Sequence, residues 1–225
     1  MIFYLIVLTT LFVLPIVWLN YIFKKNDKIL VNMPFNALEL GNILLNEKGL
    51  QDVKIEETKL GDHYDLNQKK VKVLSNRLTR KSLTSITIMC HEIGHAIQHS
   101  EKYKPLERRT KIVKSTMWIT QLGSGILLFG LPIIFATGSY SLIKLCVSIA
   151  VISIIIGIIV HLITLEVEID ASFNKALPII IEKVPQEYHK ACKSILWAAA
   201  LTYLIGVVRS FISLRFIWLI ISRIR

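Results

Sequence analysis

The sequence is poor in cysteine, in acidic residues and in any repeated or low-complexity pattern. Three cysteines occur in 225 residues, Cys90, Cys146 and Cys192, and no two form a CxxC pair. A disulfide framework and a cysteine-based zinc cluster are therefore excluded, and the usage suits a reducing compartment. Cys90 adjoins His91, but neighbouring helix positions point about 100° apart, so it is not expected to share a ligand with it. Acidic residues number 16 against 27 Lys and Arg, a formal net charge of +11. Such an excess raises nucleic acid as a partner, yet no RNP-like, zinc-finger or helix-turn-helix pattern is present, and no nucleic-acid role is expected. The start of the chain also lacks the basic n-region and small-residue cleavage site of a secretory signal.

Long apolar runs are what the chain has in quantity. Apolar residues make up 53% of it, and mean hydropathy is +0.53. The runs fall at 2–23, 117–137, 145–165 and 195–221, and each is long enough to cross a bilayer. Arg209 and Arg215 interrupt the last, which reads either as one tilted span with snorkelling arginines or as a broken hairpin. Between the first two runs, residues 24–116 carry 18 Lys and Arg against 11 Asp and Glu. Basic residues collect on the cytoplasmic side. The expected architecture is thus an α-helical, multi-pass integral membrane protein; the high Ile, Lys and Asn usage points to AT-rich coding in a bacterium, and so to a plasma membrane. A small α+β domain at 24–116 and a polar segment at 166–194 would face the cytoplasm. Trp18, Tyr21, Trp118, Tyr140 and Trp218 lie near the ends of runs, as interface anchors do.

Within 24–116, Asn36 is placed to cap a helix over 37–48 ended by Gly49. Strands are expected at 53–57, 63–66 and 71–74. Thr79 or Ser82 is placed to cap a longer helix, with Pro105 marking its end. That helix carries His91-Glu92-Ile93-Gly94-His95, an HExxH motif. Histidines at i and i+4 share one helix face and can reach one metal ion, while Glu92 can take a proton from water at that ion. Gly94 leaves room for a close neighbour. His99 extends the row, but about 12 Å of helix rise separates it from His91. One ion cannot bridge that distance, so His99 is expected to support or pack beside the site.

A third ligand must come from elsewhere. Glu166, Glu168 and Asp170 in EVEIDAS follow the third apolar run, which returns the chain to the face carrying the motif. Asp62-His63-Tyr64-Asp65 is a further cluster, from which His63 or Tyr64 can donate to a developing oxyanion; a turn leading into an aromatic strand start is the plainer reading. His161 and His189 are given no role.

HEIGHAIQH followed by YKPLERR, preceded by DHYD and VKVLS and followed by VEIDASFNKA, resembles the YugP-type bacterial membrane zinc metallopeptidases. The likeness extends over most of the chain. That group in turn resembles membrane gluzincins of the HtpX type, in which an ExxAD segment after a membrane hairpin supplies a glutamate ligand. The resemblance implies one zinc ion per chain, held by His91, His95 and Glu168, with Glu92 as catalytic base and Ser172 beside a ligand histidine. It implies an endopeptidase acting on membrane or membrane-proximal proteins at the cytoplasmic face. It also implies that 71–74 is an edge strand pairing with extended substrate. Two departures stand out. Ser172 replaces the final Asp of the pattern. Glu166 replaces a proline and makes a rival ExxxD spacing with Asp170, so Glu166 is the alternative ligand. A non-catalytic assembly factor with a structural zinc is the alternative function.

Overall fold

Helices begin where side chains can replace missing backbone partners. In the computed structural model, which describes residues 2–130 and 139–223, Asn36 accepts from the Glu39 amide and Glu39 accepts from the Asn36 amide. This capping box starts α2, Ala37–Glu47. Gly49, at φ +66°, turns the chain out of it at no steric cost. Three strands follow: β1 Lys54–Thr58, β2 His63–Asp65 and β3 Lys70–Leu74. A single turn, α3 Ser75–Leu78, leads to α4, Leu83–Ser100. Ser82 caps α4 by accepting from the Ser85 amide. Its hydroxyl also donates to Asp27.

The strand order is β1-β3-β2, with β3 parallel to β1 and antiparallel to β2. The expectation that 71–74 forms an edge is therefore wrong. The 59–62 connection carries the chain past the position β3 later fills, so β3 is paired on both sides. Burial alternates along it, with Val71 and Val73 fully enclosed. Tyr64 faces Val71 across the β2–β3 ladder and is buried with it, whereas His63 alternates to the other side.

The second correction concerns the end of α4. Pro105 does not end it; the helix stops at Ser100, and Lys102 takes φ +53°. The Glu101, Lys102 and Tyr103 amides donate to the Ile97, His99 and Gln98 carbonyls. This is a left-handed helix stop without the usual glycine. Pro105 instead falls in the first turn of α5, Lys104–Gly125, where its missing N–H costs nothing.

α5 continues as a π-helix over Ile126–Gly130. Residues 131–138, part of the expected 117–137 run, lie outside the described residues. α6 is Tyr140–Ile169, followed by a seven-residue π-helical segment, Asp170–Ala176, then α7, Leu177–Lys183. A short 3-10 turn leads into α8, His189–Arg223, one continuous helix where a broken hairpin was the other expectation. α1 is Ile2–Lys25. Among the described residues, two helical stretches, on α6 and α8, are long and apolar enough to cross a membrane.

The chain divides into two compact units. One comprises residues 1–15, 107–165 and 203–225. Within it, Gly123 of α5 abuts Ser153 of α6, and Gly206 of α8 abuts the His161 ring. The other unit comprises residues 16–106 and 166–202 and contains the sheet, α2, α4 and the π-helical segment. Its core gathers Leu40, Leu44, Val71, Met89, Ile93 and Ile195 around α4. Each such side chain contributes about 1.5–3 kcal/mol when fully buried.

α4 is enclosed on most sides, and two glycines allow this. A Cβ at Gly41 of α2 would lie 2.6 Å from Ile55 and 2.8 Å from Met89. A Cβ at Gly94 of α4 would lie 2.7 Å from the Ala171 carbonyl oxygen. The first neighbours are flexible side-chain ends, but the second is backbone and cannot give way cheaply. Gly94→Ala is therefore expected to destabilise the protein by about 1–3 kcal/mol. Thermal unfolding in detergent checks this, and an unchanged melting temperature would rule out the tight α4–π-segment contact.

Candidate metal centre

α4 contributes His91 and His95 from adjacent turns, and the end of α6 contributes Glu168. The two imidazoles meet edge to face with ring centroids 4.7 Å apart. Glu168 Oε2 lies 3.2 Å from His91 Nε2 and 3.6 Å from His95 Nε2. The three donor atoms all lie within 4.8 Å of one another. Donors bound at about 2.0–2.2 Å to one tetrahedral ion stand about 3.3–3.6 Å apart. The two histidine–carboxylate separations lie close to that spacing, and two imidazoles with one carboxylate are a donor set that suits zinc.

The far nitrogens are also accounted for. His91 Nδ1 is hydrogen-bonded to Ser172 Oγ at 3.1 Å. His95 Nδ1 is hydrogen-bonded to Gln98 Oε1 at 3.0 Å. Both Nε2 atoms are thus the ones turned toward Glu168. The Gly94–Ala171 contact explains why these partners meet, because it seats the start of the π-helical segment directly on α4.

Burial shapes the charges. Burial alone would raise the Glu168 carboxyl, but the charge on His95 and hydrogen bonds from His91 and His95 hold it well below the usual carboxylate range. Burial would lower His95, but Glu168 outweighs it and raises the imidazole to about 9. Glu92, 6% exposed, is raised by burial. The two histidines pull it back in part, while Glu168 and Asp62 add to the rise. A carboxyl raised toward neutrality is suited to accept a proton and return it.

Other expected residues fall elsewhere. Glu166 is exposed and outside the three-residue cluster. Two residues before Glu168 on a helix, it points to nearly the opposite side. Asp170 is not in the cluster either; its carboxylate accepts from Gln98 and Asn174. His99 and Tyr64 pair with each other, Tyr64 Oη to His99 Nδ1 at 2.9 Å. They line a small cleft with Asp52, Lys69, Ala96 and Ser100. Burial, with the Asp52 and Asp65 charges, pushes the Tyr64 phenol up to about 12. His63 Nδ1 is engaged by the Gly61 carbonyl, and His189 Nε2 by the Val184 carbonyl. Cys90 is fully enclosed, and burial raises its thiol. Gln98 is the residue that sequence reasoning missed. A glutamine three positions after a motif histidine has no distinctive signature, although i, i+3 spacing on a helix does permit the contact.

A sequence model of a family described as putative neutral zinc metallopeptidases matches residues 1–223, and the chain belongs to that family. Over 205 residues it is 29% identical to a Bacillus subtilis (strain 168) protein named "Putative membrane protease YugP", covering 89% of this chain and 87% of that one. No solved structure matches.

Zinc binds neutral imidazoles, so metal must displace protons that the ligands carry. In the metal-free protein at pH 7, His95 holds its proton, because its raised value lies above that pH. Zinc binding at pH 7 should therefore displace a proton from His95. A pH titration of the His95 imidazole by NMR in the metal-free protein checks this, with the proton expected to leave as pH rises through about 9. An imidazole already neutral at pH 7 would contradict the assignment.

Proposed function

We propose that the protein is a membrane-embedded zinc endopeptidase of the gluzincin kind, working at the cytoplasmic face. His91, His95 and Glu168 would hold one zinc ion, and Glu92 would be the general base. The observation that carries this reading is the meeting of two Nε2 atoms and one carboxylate oxygen at ligand spacing, one residue away from a buried carboxyl raised by its surroundings. Bound there, zinc would acidify a water molecule and polarise a scissile carbonyl. Glu92 would take the proton from the attacking water and hand it to the leaving amine. Ser172 and Gln98 would keep the ligand rings in place.

Ligand count favours catalysis over a structural zinc. Structural sites close with four protein ligands, while catalytic sites keep one position for solvent. Among the described residues the cluster has three members.

Extended substrate needs an unpaired strand edge. With β3 central, β2 and β1 are the edges, and β2 is the edge strand that packs against α4. We assign the substrate-pairing edge to β2. Membrane or membrane-proximal segments are the favoured substrates, because Glu168 comes three residues after the apolar run 145–165 and α6 carries both. Exposed Ile152, Ile155, Ile159 and Leu162 on that helix suit lipid as their surroundings. The basic excess in 24–116 supports the cytoplasmic orientation.

Glu92→Gln should lower proteolysis by about 10²–10⁴-fold while zinc content stays that of wild type. Peptide-bond cleavage and metal analysis on the same detergent-purified samples test both halves. Undiminished cleavage would remove Glu92 from the chemistry. Equal cleavage of soluble unfolded proteins and of membrane proteins would reject the substrate class.

A further inference from the structure

The two ligand histidines are supported differently. Ser172 can donate or accept, so its hydroxyl adapts to either state of the His91 ring. Gln98 has no such freedom. Its Nε2 lies 2.9 Å from the Val167 carbonyl oxygen and 2.8 Å from Asp170 Oδ2. A backbone carbonyl only accepts, so the NH₂ end of the amide must face that way, and Oε1 must face His95 Nδ1. An amide oxygen cannot donate, so His95 Nδ1 must carry the hydrogen. The proton that leaves for a metal must therefore come from Nε2, the atom facing Glu168, which then offers the lone pair a metal needs. Gln98 has 0% exposure, so solvent has no access to stand in for it. Asp170 is fixed in turn, its other oxygen accepting from Asn174 Nδ2 at 2.8 Å.

Resting on the metal-centre reading above, we propose that Gln98 is the positioning residue of the centre: it holds a hydrogen on His95 Nδ1, so that Nε2 is the nitrogen given up to a metal, and it ties the helix bearing both histidines to the segment bearing Glu168. One side chain thereby couples two sources of ligands that are 73 positions apart in the case of His95 and Glu168. The bond to Val167 O is made to the residue directly before Glu168, so a shift of Gln98 displaces both ligands together. The three contacts engage the amide's oxygen and both of its hydrogens, and turning the amide over would set an acceptor against the Val167 carbonyl.

The test uses full-length protein in detergent, with zinc affinity read by chelator competition and the melting temperature of the metal-free form read in parallel. Gln98→Leu keeps the volume and removes every polar contact; zinc should bind about 10–100-fold more weakly. Gln98→Glu keeps an acceptor for His95 but sets a carboxylate against Asp170 and should also weaken zinc. Adding Asp170→Asn to Gln98→Glu restores the 98–170 pair with the roles exchanged while the Val167 carbonyl still faces an oxygen, and should recover part of the lost affinity. A packing role alone would lower the melting temperature of all these variants and leave zinc affinity at the wild-type value, which would overturn the proposal. If Gln98→Leu fails to fold, the other two variants decide: no recovery in the double variant overturns it. Wild type that binds no zinc would instead sink the metal centre itself, a result distinguishable from wild-type affinity in the Gln98 variants.

Discussion

The metal-centre side of the second compact unit depends on one contact, the seating of the Ala171 carbonyl on Gly94. Without a side chain at Gly94, the segment after α6 approaches α4 closely enough for Glu168 to come within 3.2 Å and 3.6 Å of the two imidazoles. The same approach lets Ser172 reach His91 and Gln98 reach Val167 and Asp170. An ion pair between Lys175 and Glu101 closes the far end. The burial that follows from this packing is also what raises Glu92, so stability and chemistry share a single cause.

Burying polar groups in this way is costly unless each is satisfied. The centre meets that demand by hydrogen bonds that run in sequence, Asn174 to Asp170, Gln98 to Asp170, and His95 to Gln98. A Coulombic pairing of Glu168 with the histidines supplies the remainder. Such a network is expected to be rigid, because every member fixes its neighbour's orientation.

Local patterns were the legible part of the sequence. HExxH reads directly because helix periodicity alone brings residues four apart together. Asn36 reads as a cap, and Ser82 as one of two candidates with Thr79, because capping is a short-range contact. The EVEIDAS acids were visible as candidates, but choosing among Glu166, Glu168 and Asp170 needed the phase of a helix that changes to π-helical winding at Asp170. Strand order was not legible, since β3 becomes central only through the path of the 59–62 connection. The end of α4 was misplaced because Lys102 adopts a left-handed conformation normally signalled by glycine. Gln98 was missed because two of its three partners, Val167 and Asp170, lie in a distant part of the chain.

The family match accords with this chemistry, and what the geometry adds is the set of atoms that would perform it. Zinc-edge X-ray absorption on the purified protein addresses that set most directly. The account predicts a four-coordinate site of nitrogen and oxygen donors at about 2.0–2.2 Å, two of them imidazole, with no sulfur. In Glu168→Ala the two-imidazole signature should persist in whatever zinc remains, with the protein carboxylate lost. A sulfur shell, or a wild-type site closed by four protein ligands, would contradict it.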